Sequence, residues 1–425
     1  MKNTLVFALT AVILLSVIGC TPKPTPADTE WQLPEGQLAL RKITDPTKIP
    51  DFTAACSDQN RLRESVDNSI HYMSKPGSQK AFPYGEISHD QALASLVAFR
   101  SLLDTTHSPS EMNTRIRQMF DVWESVGYDN KGTVRFTAYY TPTFTASRER
   151  TGQFRYPIYR LPADHHFDPE HGTVALFNIP RQQIESRNML AGNELFYLGD
   201  AFEAYVVQIQ GSAKLKLTDG SLVGIGYAGC NGMDYQPIRD QMVTEGKLVK
   251  GKANLKAMFD YFKAHPEDVQ KYTGRNPRFV FHIEQQGPPL GSINEPVTKM
   301  RSIATDKKIF PRAAVAMVSA EKLPTRGASG MMERRDQAFF ALDQDSGGGI
   351  RKAGRCDIYM GDDALAEALA GYTYQDGKLY YLFLKPGTTP PADLRTPSAP
   401  SAPPIETPAT PPTNTTPDVG PTGPR

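Results

Sequence analysis

Asp345 and Asp357 are the residues of this chain best placed for proton chemistry, and both lie in one stretch, DSGGGIRKAGRCDIYMG, from Asp345 to Gly361. A carboxyl can give a proton to a leaving group or take one from a nucleophile, provided its surroundings hold its acidity near the working pH. Gly347, Gly348 and Gly349 allow positive φ and a close approach to another chain or a ligand, so they mark a tight connection. Cys356, Ile358 and Met360 then alternate with Asp357, Tyr359 and Gly361, the two-residue period of a strand with one buried face. Asp357 therefore projects from the less apolar face of a strand that follows a glycine loop. Plainer readings compete: an Asp before Ser-Gly-Gly often only organises a turn, and an Asp on a polar strand face is often only solvated.

Other stretches offer chemistry with equally plain alternatives. Phe136-Thr137-Ala138-Tyr139-Tyr140-Thr141-Pro142 sets two tyrosines beside hydroxyls at a strand end, suited to sugar faces and hydroxyls, but tyrosine pairs in strands are commonly packing. Gln208-Ile209-Gln210-Gly211-Ser212 alternates amides around an apolar residue, which fits either a hydroxyl-binding groove or an exposed strand face. His165, His166 and His171 lack a recognised metal-ligand spacing, so no metal is expected. No G-x-S-x-G, Walker loop or dinucleotide fingerprint occurs, which removes most support for serine hydrolases and nucleotide-dependent enzymes. Cys56, Cys230 and Cys356 are an odd set lying far apart, neither a disulfide framework nor a zinc set, although one pair could form in an oxidising compartment. Cys356 reads as a buried strand residue rather than a nucleophile.

The elements that must position these residues are mainly strands. VRFTAYY, FRYPIYRL, AYVVQIQGSAKLKL and LVGIGYAG crowd the segment from Val134 to Gly229, with a turn at Asp219-Gly220. Strands return at RFVFHI, RSIAT, AAVAMV, QAFFAL, CDIYM and LYYLFLK. Helical spacing of apolar residues marks Asp90–Leu103, Glu111–Val126, Ile238–Val249 and Leu255–Lys263. Many short strands without regular strand–helix alternation predict closed barrels rather than a doubly wound sheet.

The ends of the chain are of a different kind. Lys2, the apolar run from Leu5 to Ile18 and then Gly19 and Cys20 have the layout of a secretory signal. Val17-Ile18-Gly19-Cys20 looks like a bacterial lipobox, in which Cys20 becomes a lipidated N-terminus; an ordinary cleaved signal is the alternative. Residues 21–35 read as a flexible tether, and residues 387–425 as a Pro/Thr-rich tail that cannot bury a core. A formal charge of +1, from 47 basic and 46 acidic residues, argues against a nucleic-acid partner.

Six blocks in order carry a family resemblance: FTAYYTPTFTASRERTGQFRYPIYRLP, VQIQGSAKLKLTDGS, GYAGCNGMDYQPI, NPRFVFH, RSIATDKKIFPRAA and LDQDSGGGIRKAGRCDIYMG. They run from Phe136 to Gly361, and over about residues 130–385 the chain resembles the membrane-bound lytic transglycosylase A family of bacterial peptidoglycan-cleaving lipoproteins. The resemblance implies a mainly β fold with some helices: a double-psi β-barrel, similar to that of endoglucanases and expansins, with an inserted second β-domain and a groove between the two. Residues 36–141 and 289–386 would form the barrel and its N-terminal helices, and residues 142–288 the insertion.

It further implies that Asp357 is the catalytic acid, with Asp345 and Thr137 in support. Tyr139, Tyr140, Gln210, Ser212 and Tyr227 would face the glycan, and no cofactor is needed. The partners implied are peptidoglycan glycan strands, a membrane held through the N-terminal lipid, and cell-wall synthesis or division proteins. Thr21 after Cys20, where a retention signal would have aspartate, points to the periplasmic face of the outer membrane of a Gram-negative bacterium. An endoglucanase-like peptidoglycan hydrolase and a non-catalytic, expansin-like wall-binding lipoprotein are the alternatives.

Overall fold

The computed structural model describes residues 31–162, 167–168, 172–173 and 178–388. Cys20, the signal segment, nearly all of the C-terminal tail, and His165, His166 and His171 lie outside the described residues.

Six strands close on themselves: Val134–Tyr139, Ser302–Ala304, Val315–Arg326, Met332–Asp345, Arg355–Tyr359 and Gln375–Leu384. Val134–Tyr139 pairs in parallel with Arg355–Tyr359, which pairs antiparallel with Ser302–Ala304, which in turn lies parallel to Met332–Asp345. Antiparallel pairings through Val315–Arg326 and Gln375–Leu384 lead back to Val134–Tyr139 and complete the ring. This is the expected barrel, and closing it satisfies strand edges that would otherwise be open to other chains. Its interior takes the alternate apolar residues of each strand, among them Phe136, Ile303, Val318, Ala341, Ile358 and Leu379, all fully buried, while Met317, Phe340 and Leu342 face outward.

Helices cap the outside. His89–Thr105 begins where the Ser88 hydroxyl accepts the amide of Gln91, and Phe99 and Phe52 both pack on Phe340. Pro109–Met119 is capped in the same way by Ser108 but stops seven residues before the predicted end. Phe120–Ser125 is a strand that extends the sheet beside Gln375–Leu384, so helical spacing across Glu111–Val126 overran its boundary. Pairing along the sheet edge, with Phe120 and Val122 turned inward, overrides local periodicity there.

The chain leaves the barrel after Thr141, and a second six-stranded sheet follows, in the order Val280–Gln285, Leu222–Cys230, Ala213–Leu217, Thr143–Ser147, Glu194–Leu198, Tyr156–Tyr159. A bridge between Arg160 and His282 brings its two edges together. The Asp219-Gly220 turn is present, with Gly220 at φ 87 and Ser221 donating to the Asp219 carboxylate.

AYVVQIQGSAKLKL is not one strand. Ala201–Gln210 is a helix, started by the Asp200 carboxylate accepting the amides of Phe202 and Glu203 and ended by Gly211 in the left-handed region. Ala213–Leu217 is the strand. A short apolar run buried on several sides has no period to separate the two conformations; the caps decide it.

Candidate active site

Parallel register explains why Thr137 and Asp357 meet. Asp357 stands opposite Thr137, and Tyr359 opposite Tyr139, so the four side chains lie on one face of two adjacent strands. The Thr137 hydroxyl donates to Asp357 Oδ1. Arg355, two residues earlier, donates from Nη2 to the same threonine oxygen at 3.2 Å. Thr137 thereby passes an ordered hydroxyl from a cation to the acid. Among the described residues, Asp357 Oδ2 has no hydrogen-bond partner, and the side chain is half-buried.

Ala304 stands level with Asp357 on one side and with Asp345 on the other. The two acids therefore occupy strands separated by a single strand, about 10 Å apart at the backbone, with only a methyl group between them. Asp345 is well satisfied. Its Oδ1 accepts the amides of Ser292 and Ser346 at 2.9 and 2.8 Å, and its Oδ2 accepts the Tyr139 hydroxyl at 2.6 Å.

The electrostatics follow from this unequal provision. Burial pushes the Asp357 carboxyl up to about 6; the Arg355 guanidinium pulls against the shift and the Asp345 charge adds to it. Burial raises Asp345 as well, opposed by its hydrogen bonds from Tyr139, Ser346 and Ser292. The Tyr139 phenol is held well above its ordinary value by burial and by the acid it serves.

The glycine loop works differently from the expectation of positive φ. None of Gly347, Gly348 and Gly349 has it; Lys352 does, at φ 70. The glycines serve close approach instead: a Cβ at Gly348 would lie 2.7 Å from Arg278 Nε, and one at Gly349 would lie 3.0 Å from the Tyr235 ring. Both neighbours come from the second sheet's part of the chain, so the missing side chains let that part lie against the loop. Tyr235 is close enough to Asp357 for the carboxylate to raise its phenol, which burial alone pushes up most and which reaches about 12. Its hydroxyl bonds Tyr205, whose oxygen also accepts from Asn276 Nδ2 at 3.1 Å.

The other sequence candidates divide. Gln210 Oε1 accepts the amide of Tyr140 at 3.2 Å, and Ser212 Oγ lies 3.3 Å from Thr141 Oγ1, which is 2.9 Å from the Tyr359 hydroxyl. These contacts hold the crossing between the barrel and the second sheet, next to the Tyr139–Tyr359 ring pair at 5.2 Å. Tyr140 is buried and bonds Glu367, whereas Tyr139 is only partly covered and bonds Asp345. Tyr227 is exposed and interacts with Arg278 and Cys230. Cys56, Cys230 and Cys356 are unpaired and buried, which fits the reading of Cys356 as a strand residue. Tyr235 and Arg278 were not singled out from sequence, although GYAGCNGMDYQPI and NPRFVFH contain them; a glycine triplet marks a close approach but does not say what approaches.

Two protein families match the chain: the MltA specific insert domain over residues 135–282 and the 3D domain over residues 301–383. Membrane-bound lytic murein transglycosylase A of Escherichia coli (strain K12) is 31% identical over 388 residues, which is 90% of this chain and 96% of that protein. The Vibrio cholerae protein of the same name is 27% identical over 266 residues, 62% of this chain and 69% of its own length. Among solved structures, a membrane-bound lytic murein transglycosylase from Agrobacterium tumefaciens matches with a TM-score of 0.66 at 20% identity, covering 81% of this chain and 98% of that one. Escherichia coli MltA with bound chitohexaose matches with a TM-score of 0.62 at 24% identity, covering 87% and 100%.

Proposed function

The chain belongs to the membrane-bound lytic murein transglycosylase A family, and from that premise we propose that it cleaves the β-1,4 bond between N-acetylmuramic acid and N-acetylglucosamine of peptidoglycan with Asp357 as its only proton carrier. Asp357 gives its proton to the glycosidic oxygen as the bond from C1 to that oxygen breaks. The resulting carboxylate takes the proton of the C6 hydroxyl on the same muramoyl residue while O6 bonds to C1. A 1,6-anhydro end forms, no water is consumed, and the acid is regenerated.

The observation that carries this reading is the unequal satisfaction of the two carboxyls. Hydrolytic schemes use a second carboxylate as base or nucleophile. Asp345 has both oxygens engaged by three donors and is tied to its site, which suits a residue that positions and tunes. Asp357 has one oxygen held by Thr137 and the other open, and burial keeps a usable fraction protonated near neutral pH. In this proposal residues 142–288 form the insertion, and residues 36–141 with 289–386 form the barrel unit. Tyr139, Tyr235 and Tyr227 line the groove between them.

Digestion of purified sacculi followed by mass spectrometry of the products tests the reaction. Anhydromuramoyl ends are expected. Reducing ends that have gained water would instead establish an endoglucanase-like hydrolase, and intact strands that sediment with the protein would establish an expansin-like binder.

We further propose that Cys20 carries the lipid that holds the enzyme at the outer membrane, on the strength of Val17-Ile18-Gly19-Cys20 and Thr21. No helix among the described residues is long and apolar enough to cross a membrane. Cys20→Ala should leave the membrane fraction or stay unprocessed; unaltered fractionation would end this proposal.

A further inference from the structure

Arg278 carries a charge that the fold does not use. Its Nη1 donates to the Met233 carbonyl at 3.0 Å, and its Nε and Cζ lie over the backbone of Gly348, where a Cβ would clash. Tyr227 also interacts with it. Among the described residues, no carboxylate lies within ion-pair distance of its guanidinium, although pairs such as Arg148–Glu284 and Arg275–Glu245 form elsewhere in the same part of the chain. The side chain is half-buried, so its remaining N–H groups are held in a fixed direction at the loop that leads to Asp357.

A planar fork of donors, pre-ordered and unpaired, suits a carboxylate better than a sugar hydroxyl. Arg355 is the arginine joined to the acid through Thr137, whereas Arg278 lies over Gly348 of the glycine loop and bonds neither. It is therefore better placed for a substituent of the substrate than for the reacting bond. Next to the bond under attack, the peptidoglycan substituent with carboxylates is the peptide on the lactyl group of the muramoyl residue.

We propose that Arg278, supported by Tyr227, binds a carboxylate of the stem peptide and makes the enzyme favour peptide-bearing glycan over bare glycan. The inference rests on the proposed transglycosylase reading and adds the substrate class to it. Arg278 acts as a specificity residue: it contacts the substrate but moves no proton.

The test compares peptide-bearing strands with amidase-stripped strands of the same length, reading kcat and KM from the release of anhydro ends. Wild-type enzyme should show a KM lower by about tenfold on peptide-bearing strands, the scale of one charge-assisted hydrogen bond, with kcat nearly equal. Added salt should shrink that ratio. In Arg278→Gln the ratio should fall to near one, and Arg278→Lys should recover part of it. A role confined to holding the glycine loop would lower activity on both substrates alike and leave the ratio intact, and that result overturns the inference.

Amidating the peptide carboxylates gives a second arm that needs no variant: wild-type KM should rise to the value for stripped strands, and an unchanged KM also overturns the inference. Anhydro ends from stripped strands show that the transglycosylase reading stands whatever Arg278 does. Their absence from both substrates would defeat that reading itself, and the Arg278 assignment with it.

Discussion

Asp343 and Asp357 are both carboxyls of one barrel, and they are in opposite conditions. Asp343 is wholly enclosed, with Lys307 Nζ on one oxygen and the hydroxyls of Thr305 and Tyr381 on the other, at 2.7 and 2.8 Å. Burial pushes Asp343 up and Lys307 down, and each opposes the other's shift with its own charge. Asp357 has one hydroxyl, no cation in direct contact, and an open oxygen at the barrel's mouth. A carboxyl surrounded by donors supports structure because its charge is settled, whereas one left short of donors can change its charge during a reaction.

The largest effect should come from removing the proton at the mouth. Asp357→Asn keeps size and hydrogen bonding but cannot cycle a proton, so turnover on sacculi should fall by at least ~10²–10⁴, with strand binding retained. Asp345→Asn should cost less, because Asp345 holds Tyr139 and two backbone amides rather than substrate. Measuring anhydro-muropeptide release from both variants breaks the comparison if the order is reversed.

The next largest effect belongs to the enclosed pair. Lys307→Met removes the cation and leaves a buried carboxylate without its counter-charge, which typically costs about 3–5 kcal/mol. Urea unfolding at pH 7.5 should show that loss. Lys307→Met combined with Asp343→Leu should recover much of it, since replacing both partners by apolar groups removes the stranded charge. If the single variant is as stable as wild type, Asp343 is already neutral and the contrast with Asp357 disappears.

The contrast also shows what the sequence could and could not convey. Asp357 is legible because Cys356, Ile358 and Met360 alternate around it after a glycine loop, and local period alone places it on the polar face. Its partner Thr137 lies 220 positions away, and the parallel register that joins them is a property of barrel closure, which no local pattern encodes. Asp343 is harder still: within LDQD nothing distinguishes the enclosed acid from Asp345, and Lys307, which makes the difference, sits on a loop 36 positions earlier. The barrel strands were each legible as strands, although AAVAMV and QAFFAL cover only parts of Val315–Arg326 and Met332–Asp345. Ala201–Gln210 and Phe120–Ser125 were not, because a cap at Asp200 and an edge pairing decide them.

The smallest expected effect is a gain in stability. The folded protein holds the Asp357 carboxyl up at about 6, against an ordinary 3.8, so the folded state binds the proton more tightly than the unfolded chain does. Protonation therefore favours folding: the burden of the charge is absent below about pH 4, grows as pH rises between the two values and is complete above about 6. Asp357→Asn removes a charge the site does not welcome and should stabilise the protein at pH 7.5 by roughly 1–3 kcal/mol, allowing for partial solvent access. At pH 4 the gain should vanish. The same ionisation should appear in wild-type activity, with kcat/KM for sacculi falling as pH rises through about 6. Thermal melts of wild type and variant across pH 4–8 check the first half, and a pH–rate profile the second. A variant that is less stable than wild type at pH 7.5 would mean that Asp357 is held by its neighbours as firmly as Asp343, and would locate the mobile proton elsewhere.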